Sequence, residues 1–306
     1  MLRNELYPES RPFVKALKLR SPVASPHTFD RPRPCMYYCP VDTLDITKVE
    51  RTLSTSQLGR PLRYLPAVAS TQDIAREAAL AGAPGGLAVV AGQQPAGKGR
   101  AGRAWWSPPT GGLYVSLLLR PLLPPEHVSW VTMCLALGAS EAIEAVCGLR
   151  PDLKWPNDLE WRGRKLAGIL AESAFTGNHL DYVIAGIGLN VAVDFSPQPE
   201  LARTAISLQT VLGRPVDSSE LLVALLSWVE THLMAMEQGI SPLATWKERL
   251  VTLGRPVQAK GLDGRVLSGV AVDVLQDGSL LLRLDDGTEA IVRAMDVTLR
   301  GSNYAP

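Results

Sequence analysis

Three Asp-Gly pairs near the C-terminus constrain the fold of this 306-residue chain more than any other feature. They are Asp263-Gly264, Asp277-Gly278 and Asp286-Gly287. Short apolar segments of alternating pattern separate them after Gly254. Asp-Gly between two such segments favours a tight hairpin, because both turn positions tolerate a positive φ. Residues 254–300 are therefore predicted to form a small β-barrel, and residues 301–306 a short tail.

The pattern before Gly254 mixes helical and strand periods, which predicts an α+β domain over residues 44–253. Strands are predicted at residues 62–65, 87–91, 113–119, 166–171 and 182–187, and helices at residues 44–53, 70–82, 128–146, 218–237 and 242–252. Ser70 is expected to cap the second helix, with Asp73 completing a capping box and Gly82 ending the helix. Residues 176–178, Thr-Gly-Asn, are expected to form a hairpin turn.

The composition of the chain limits which cellular compartment and which binding partners are expected. The formal net charge is +1, so no overall field draws the chain to nucleic acid or to an anionic membrane. No run approaches the roughly 20 apolar residues of a membrane span, and the N-terminus lacks the pattern of a secretory signal. A reducing cytoplasm is favoured by four scattered cysteines, which are Cys35, Cys39, Cys134 and Cys147. The spacing of Cys35 and Cys39, with His27 nearby, is not that of a zinc site.

Residues 1–43 differ from the rest of the chain. They hold six prolines before Cys35 and an excess of basic residues, and they have no sustained hydrophobic period. Such a stretch is predicted to be a disordered tail, because burial cannot offset its ordering entropy. Two alternatives stay open: a basic arm that contacts a partner, and a start of translation at Met36.

A glycine-rich basic loop carries the strongest chemical signal. Residues 97–103 read Gly-Lys-Gly-Arg-Ala-Gly-Arg, so the backbone can approach a ligand closely while Lys98, Arg100 and Arg103 surround a phosphate or carboxylate. The spacing is not that of a Walker A loop. A flexible, solvated loop is the alternative interpretation.

Two later segments favour a binding site. Residues 154–158 join a cation, a large aromatic side chain, a rigid turn and a carboxylate in the order Lys-Trp-Pro-Asn-Asp. Lys165 stands at the start of an apolar strand, where a lysine is either functional or a charge that protects a strand edge.

Together and in this order, these segments resemble the biotin protein ligase family. The family pattern is a Ser-Thr pair at a helix start, Gln-x-x-Gly-Arg-Gly-Arg-x-Gly-Arg, Lys-Trp-Pro-Asn-Asp, Lys-Leu-x-Gly-Ile-Leu, and x-Gly-x-Asn on a strand. The matching positions are residues 70–71, 94–103, 154–158, 165–170 and 187–190. The resemblance covers about residues 44–300. It departs from the pattern at Lys98, where the family usually has an arginine with its bidentate fork.

The resemblance implies a fold and a reaction. The fold is an α+β catalytic domain, like that of class II aminoacyl-tRNA synthetases, with helices on a central mixed or antiparallel sheet and a small C-terminal SH3-like β-barrel. The reaction joins biotin to ATP, with Mg²⁺ on the phosphates, and passes biotin from biotinyl-5'-AMP to a lysine of a biotin carboxyl carrier domain. The chain resembles the ligase-only type, without an N-terminal DNA-binding domain. No protein metal site, specific DNA or membrane partner is expected, and a homodimer is left open.

The family's site residues carry over by position. The residues implied to bind biotin are Ser70, Thr71, Gln72, Gln94, Lys98, Gly99, Arg100 and Lys165. Those implied to bind ATP or the adenylate are Gly97, Arg100, Arg103, Trp105, Lys165 and Asn190. Lys165, Arg100 and Asp158 are implied to be catalytic, with Asp158 facing the acceptor lysine.

Two other functions are weighed against this one. A lipoate or octanoate protein ligase would share the fold and the lysine, and competition between labelled acids would distinguish it. A biotin-responsive DNA-binding repressor would need a helix-turn-helix before the Ser-Thr pair, and residues 1–43 show no such pattern. A gel shift would test for DNA binding.

Overall fold

The structure, a computed structural model, describes residues 44–261, 264–293 and 296–299. The predictions for the two tails, and those on His27, Cys35, Cys39 and Asp263, concern residues outside these ranges.

The first sheet is mixed and has seven strands: β1 Leu62–Leu65, β2 Ala88–Ala91, β3 Gly112–Leu119, β4 Asp152–Lys154, β5 Asp158–Trp161, β6 Arg164–Thr176 and β7 His179–Asn190. Their order is β1-β2-β3-β7-β6-β5-β4. Strands β1 and β2 are parallel, and the other neighbours are antiparallel. The hairpin predicted at residues 176–178 joins β6 to β7, with Thr176 opposite His179. Both strands extend beyond their apolar segments, because polar residues continue the pairing.

In the part of the chain that the structure describes, seven α-helices accompany the sheets: α1 Ile46–Thr52, α2 Thr71–Leu80, α3 Ser129–Cys147, α4 Pro199–Thr204, α5 Leu208–Leu212, α6 Ser218–Glu237 and α7 Leu243–Glu248. All five predicted helices are present among the described residues. Helix α7 is shorter than predicted because the chain after it bonds to β4: Val251 N donates to Leu153 O at 2.9 Å. The sequence did not predict β4, β5, α4 and α5, which are too short to show a period.

Helices α3 and α6 pack against each other in the main core. A Cβ at Gly138 of α3 would lie 2.7 Å from Val229 N of α6, so only glycine allows this approach. Cys134 on α3 is buried and free, and burial raises the pKa of its thiol to about 12, which keeps it neutral.

Among the described residues, one helix passes a test of length and composition for a membrane span. Pro125–Cys147 is long and apolar enough by length and composition. However, 72% of its most apolar window is buried inside the protein, as in the core helix of a globular domain.

The second sheet has five antiparallel strands among the described residues: β8 Pro256–Lys260, β9 Val266–Val274, β10 Leu280–Leu284, β11 Glu289–Val292 and β12 Asp296–Leu299. Their order is β11-β10-β9-β8-β12, and this is the small SH3-like domain that the sequence predicted. Gly278 and Gly287 have φ values of 81° and 87° at the two described Asp-Gly turns. The buried side chains of this sheet belong to the same apolar core as α3 and α6.

Candidate active site

A cavity of about 880 Å³ lies between α2, the glycine-rich loop and strands β6 and β7. This volume suits a small-molecule site. Every site residue named from the sequence lines it: Ser70, Thr71, Gln72, Gln94, Gly97, Lys98, Gly99, Arg100, Arg103, Trp105, Asp158, Lys165 and Asn190. The fold therefore brings five separate motifs to one place.

Glycines on β6 and β7 form the floor of the cavity. Gly168 pairs with Gly188 across the two strands, and the Trp105 ring lies over both residues. A Cβ at Gly188 would lie 2.5 Å from Trp105 Cε2, and one at Gly168 would lie 2.8 Å from Trp105 Cζ3. The glycines thus provide a shelf for the indole, whose buried N–H has no hydrogen-bond partner among the described residues.

Lys165 stands beside this shelf at the start of β6. Its Nζ lies 2.6 Å from Asp158 Oδ1, an ion pair whose angles are not those of a hydrogen bond, and 5.3 Å from the centroid of the Trp105 ring. Asn190 Nδ2 donates to Lys165 O at 3.2 Å, so the predicted nucleotide residue Asn190 holds the backbone of Lys165. The lysine ammonium is therefore held between a carboxylate and an aromatic face.

The glycine-rich loop is a narrow hairpin. Trp105 N donates to Gly97 O at 2.8 Å, and Gly99 N donates to Arg103 O at 2.7 Å. Ala101 has a φ of 55°, a conformation that strains residues other than glycine. This strain falls at the tip of the loop, between Arg100 and Arg103.

Two side chains connect the loop to the walls of the cavity. Lys98 pairs with Asp73 on α2, and Arg100 Nη1 donates to Asn157 Oδ1 at 3.3 Å on the opposite side. The loop therefore spans the cavity from α2 to the segment before β5.

The capping box predicted at the start of α2 is wrong. Ser70 occupies the N-cap position, but its side chain makes no capping bond. Asp73 instead binds Lys98 and Arg76, since two cations offer stronger partners than the backbone N–H.

The polar groups at and beside the N-terminus of α2 are of two kinds: some are hydrogen-bonded within the protein, and others have no partner among the described residues. Gln94 Oε1 accepts from Thr71 N at 2.7 Å and Thr71 Oγ1 at 3.0 Å, and Gln94 Nε2 donates to Ser107 Oγ at 3.3 Å. Both ends of Gln94 thus have protein partners. Ser70 Oγ and Gln72 Oε1 are buried without a partner among the described residues. These two oxygens are the ones that a ligand can still satisfy.

Sequence reasoning missed an aromatic pair on the cavity wall. Trp106 contacts Phe195, with ring centroids 5.6 Å apart, and both residues line the cavity. Phe195 lies between β7 and α4 in a segment without periodicity. The available signal was an aromatic residue five positions after Asn190 of the last motif.

The small sheet contacts Trp155, a residue of the cavity wall that lies just before β5. Trp155 Nε1 donates to Gly278 O at 2.9 Å in the β9–β10 turn, and Trp155 also lines the cavity. Val297 of β12 contributes to the lining as well. The segment before β5 is thus supported from the second sheet.

Comparison with known proteins assigns this fold and site to a class. Residues 64–190 match the Biotin/lipoate A/B protein ligase family, and residues 252–294 match the Biotin protein ligase C terminal domain. The class is therefore that of the biotin and lipoate protein ligases.

Individual relatives show which kind of ligase within this class the chain is similar to. The bifunctional ligase/repressor BirA of Bacillus spizizenii is 34% identical over 254 residues, which cover 82% of this chain and 78% of the relative. The biotin–[acetyl-CoA-carboxylase] ligase of Mycobacterium tuberculosis is 30% identical over 259 residues, 81% of this chain and 94% of the relative. The biotin protein ligase from Aquifex aeolicus in complex with biotin and ATP has a TM-score of 0.66 at 29% identity, covering 78% of this chain and 98% of that chain. The chain belongs to the biotin protein ligase family, as its motifs predicted.

Proposed function

We propose that this chain activates biotin with ATP as biotinyl-5'-AMP and transfers biotin to a lysine of a biotin carboxyl carrier domain. One observation carries this proposal: a single cavity joins an apolar end, whose Ser70 and Gln72 oxygens have no partner among the described residues, to an end lined by cations. The relatives named as biotin ligases support it.

The cationic end suits the first step. The biotin carboxylate attacks the α-phosphorus of ATP, an acyl-phosphate bond forms, and the bond to pyrophosphate breaks. Both reactants are anions, so Lys165, Arg100 and Arg103 would lower the barrier by stabilising the developing charge. Lys165 would bridge the carboxylate and the α-phosphate.

A magnesium ion fits this site as a companion of the nucleotide. Among the described residues, Asp158 is the acidic side chain that lines the cavity, and it is paired with Lys165. No group of three or more His, Cys, Asp or Glu side chains among the described residues could hold a metal ion. ATP phosphates would therefore supply most of the oxygen ligands, and the ion would neutralise their charge.

The other end of the cavity suits biotin. Val115, Ile169 and Ile187 give it an apolar lining, while Ser70 Oγ and Gln72 Oε1 lack partners among the described residues. The fused rings of biotin are mostly apolar, and their cyclic urea carries two N–H donors and one carbonyl. Such a ring would fill the apolar space and satisfy these oxygens.

Asp158 and Lys165 suit the second step, in which the neutral amine of the carrier lysine attacks the acyl carbon and AMP leaves. Asp158 already holds an ammonium group, that of Lys165, at 2.6 Å. When Lys165 turns to the adenylate phosphate, Asp158 becomes available to orient the incoming lysine or to accept its proton.

The lipoate or octanoate alternative shares the first matched family model, which covers both kinds of ligase. The match of residues 252–294 to the Biotin protein ligase C terminal domain favours biotin. We propose action in the cytoplasm on a carboxylase carrier domain, with neither specific DNA nor a membrane as a partner.

A competition assay tests the choice of acid. The purified full chain is incubated with ATP, Mg²⁺, a biotin carrier domain, a lipoyl domain, and labelled biotin, lipoate and octanoate in equal amounts. We expect label from biotin on the biotin carrier. Label from lipoate or octanoate on the lipoyl domain would favour the alternative, and a gel shift with promoter DNA would show a repressor.

A further inference from the structure

A ladder of charges runs behind the cavity wall that α2 and β6 form. It begins with Lys98 paired to Asp73, continues from Asp73 Oδ1 to Arg76 Nη1 at 2.9 Å, and reaches Glu172 Oε2 from Arg76 Nη2 at 2.6 Å. Glu172 Oε2 also accepts from Gln72 Nε2 at 3.1 Å. The ladder therefore ends on a side chain that lines the cavity, although Glu172 itself is not among the lining residues.

Glu172 determines which end of the Gln72 amide faces the cavity. Gln72 Nε2 donates to Glu172 and to Leu170 O, the latter at 3.2 Å. The reversed amide would place its carbonyl oxygen against a carboxylate and a carbonyl, neither of which can donate. The NH₂ group is thus held toward β6, and Oε1 is directed away from it.

The oxygen of Gln72 is an unused acceptor. It is buried and has no hydrogen-bond partner among the described residues. Gly186 keeps the space beside it open, since a Cβ there would lie 3.0 Å from Oε1. A ligand that donates a hydrogen bond at this point gains one, and a ligand that presents only an acceptor leaves two oxygens facing each other.

We propose that Glu172 is a positioning residue that makes the site select a substrate acid with a ring N–H at this point. It does so by fixing Gln72 as an acceptor, and Arg76 keeps the Glu172 carboxylate in place. The inference rests on the proposed function, because it assigns the N–H to the cyclic urea of biotin.

The ladder affects recognition more than folding. The side chains of Arg76 and Glu172 are 33% and 37% exposed, so their ion pair contributes little to stability. Glu172→Ala removes one acceptor of Gln72 and leaves the weaker Leu170 carbonyl. The released amide can then turn its NH₂ group toward the cavity and donate to a ligand that only accepts.

The test is a thermodynamic cycle that combines a change of Glu172 in the protein with removal of an N–H from the ligand. Dissociation constants are measured by calorimetry for biotin and for two cyclic carbamates, in each of which oxygen replaces one ring N–H. For one of the two carbamates, we expect the wild-type protein to bind it about 10-fold or more weakly than biotin. Glu172→Ala should reduce this ratio to about 3-fold or less, and Gln72→Ala should do the same, because both remove the fixed acceptor.

Two further variants make the cycle specific. Glu77→Gln neutralises an exposed carboxylate on α2, the helix that carries Gln72, and should keep the wild-type ratio of dissociation constants. Arg76→Met should lose part of the ratio, since it leaves Glu172 unsupported, and it serves if Glu172→Ala does not fold.

The outcomes separate the two proposals. Wild-type discrimination in both Glu172→Ala and Arg76→Met would overturn the inference alone, as would equal wild-type affinity for biotin and both carbamates. Failure of the wild-type protein to bind biotin at all would overturn the proposed function and this inference with it.

Discussion

The two sides of the cavity are held in different ways. Its floor belongs to β6 and β7, which pair from Ala167 and Leu189 to the turn beyond Thr176. The tip of the loop, residues 98–103, reaches the opposite walls through the side chains of Lys98 and Arg100. The backbone hydrogen bonds between paired strands break rarely, whereas partly exposed side-chain contacts break at little cost in free energy. The floor is therefore the fixed half of the site, and the loop is the half that can open.

The difference assigns different tasks to the two halves. Lys165 stands on the fixed half, where, under the proposed function, the alignment of carboxylate and phosphate would demand constant geometry. Arg100 stands on the half that can open, where, under the proposed function, substrates would enter and the adenylate would be retained. Removing the first should stop chemistry, and removing the second should release the intermediate.

The largest effect is expected for Lys165→Ala. Loss of this fixed cation should lower the rate of adenylate formation by about 100- to 1,000-fold, the range seen when a preorganised electrostatic contact is removed. Biotin-dependent release of pyrophosphate measures the rate, and circular dichroism checks the fold. Lys247→Ala, which removes an ion pair with Asp273 at 2.6 Å, is the control and should keep the wild-type rate. Release at the wild-type rate by Lys165→Ala would contradict its assignment.

A smaller effect of another kind is expected for Arg100→Gly. A charge-assisted hydrogen bond to phosphate contributes about 1.5–3 kcal/mol, so its loss should speed adenylate escape about 10- to 150-fold. The variant should still form the adenylate and should biotinylate an unrelated lysine-rich protein mixed with the carrier.

The control for this variant is Arg162→Gly. Arg162 lies in the β5–β6 turn with a φ of 51°, a conformation that glycine adopts easily, and it does not line the cavity. It should label the carrier alone. If Arg100→Gly also labels only the carrier, or forms no adenylate, the loop does not retain the intermediate through Arg100.

Trp155→Phe tests whether the second sheet supports the fixed half. The change keeps an aromatic ring but removes the donor to Gly278 O, and leaving that carbonyl unpaired should cost about 1 kcal/mol or more of unfolding free energy. We expect transfer to the carrier to fall about 5-fold, because the Asn157 and Asp158 backbone loses its support.

The matched control is Trp130→Phe. Trp130 Nε1 donates to Gln276 O at 3.0 Å in the same turn, but Trp130 does not line the cavity. Both variants should lower the melting temperature to a similar degree, and only Trp155→Phe should lower transfer. Equal transfer rates in the two variants would show that the turn contributes stability alone.

The smallest effect is expected for Asp73→Asn, which removes the partner of Lys98. A partly exposed ion pair contributes up to about 1 kcal/mol, so the open loop should become up to about 5-fold more populated. Limited trypsin cleavage after Lys98, Arg100 and Arg103, followed by mass spectrometry, measures this opening. Asp273→Asn, which breaks the surface pair with Lys247, should cleave at the wild-type rate. An unchanged rate for Asp73→Asn would mean that Lys98 does not hold the loop.

Much of the fold could be predicted because its main elements carry strong periods. The continuous apolar runs in β2, β3 and β7 are buried on both faces, and the Asp-Gly turns at Gly278 and Gly287 have the backbone that the dipeptide favours. The short α4 and α5 have too few apolar residues to show a period. The end of α7 was missed because pairing with β4 replaces its last turn, a tertiary effect.

The composition of the site was accessible from motifs, but its internal connections were not. Glycines and lysine at motif spacing indicated the loop and Lys165. The bond from Gln72 to Glu172 joins residues 100 positions apart, and it depends on how α2 packs over β6. Because of the same packing, Asp73 pairs with Lys98 instead of completing the predicted capping box. Local rules cannot supply such contacts.

The most direct test of the central claim is biotin transfer by the full chain. The purified protein is incubated with biotin, ATP, Mg²⁺ and a biotin carboxyl carrier domain, and streptavidin detects the product after removal of free biotin. We predict that the carrier becomes labelled at its acceptor lysine, with one pyrophosphate released per biotin. Omission of ATP should abolish the label, and Lys165→Ala should slow labelling by about 100- to 1,000-fold. An unlabelled carrier with folded wild-type protein, or labelling that does not need ATP, would contradict the account.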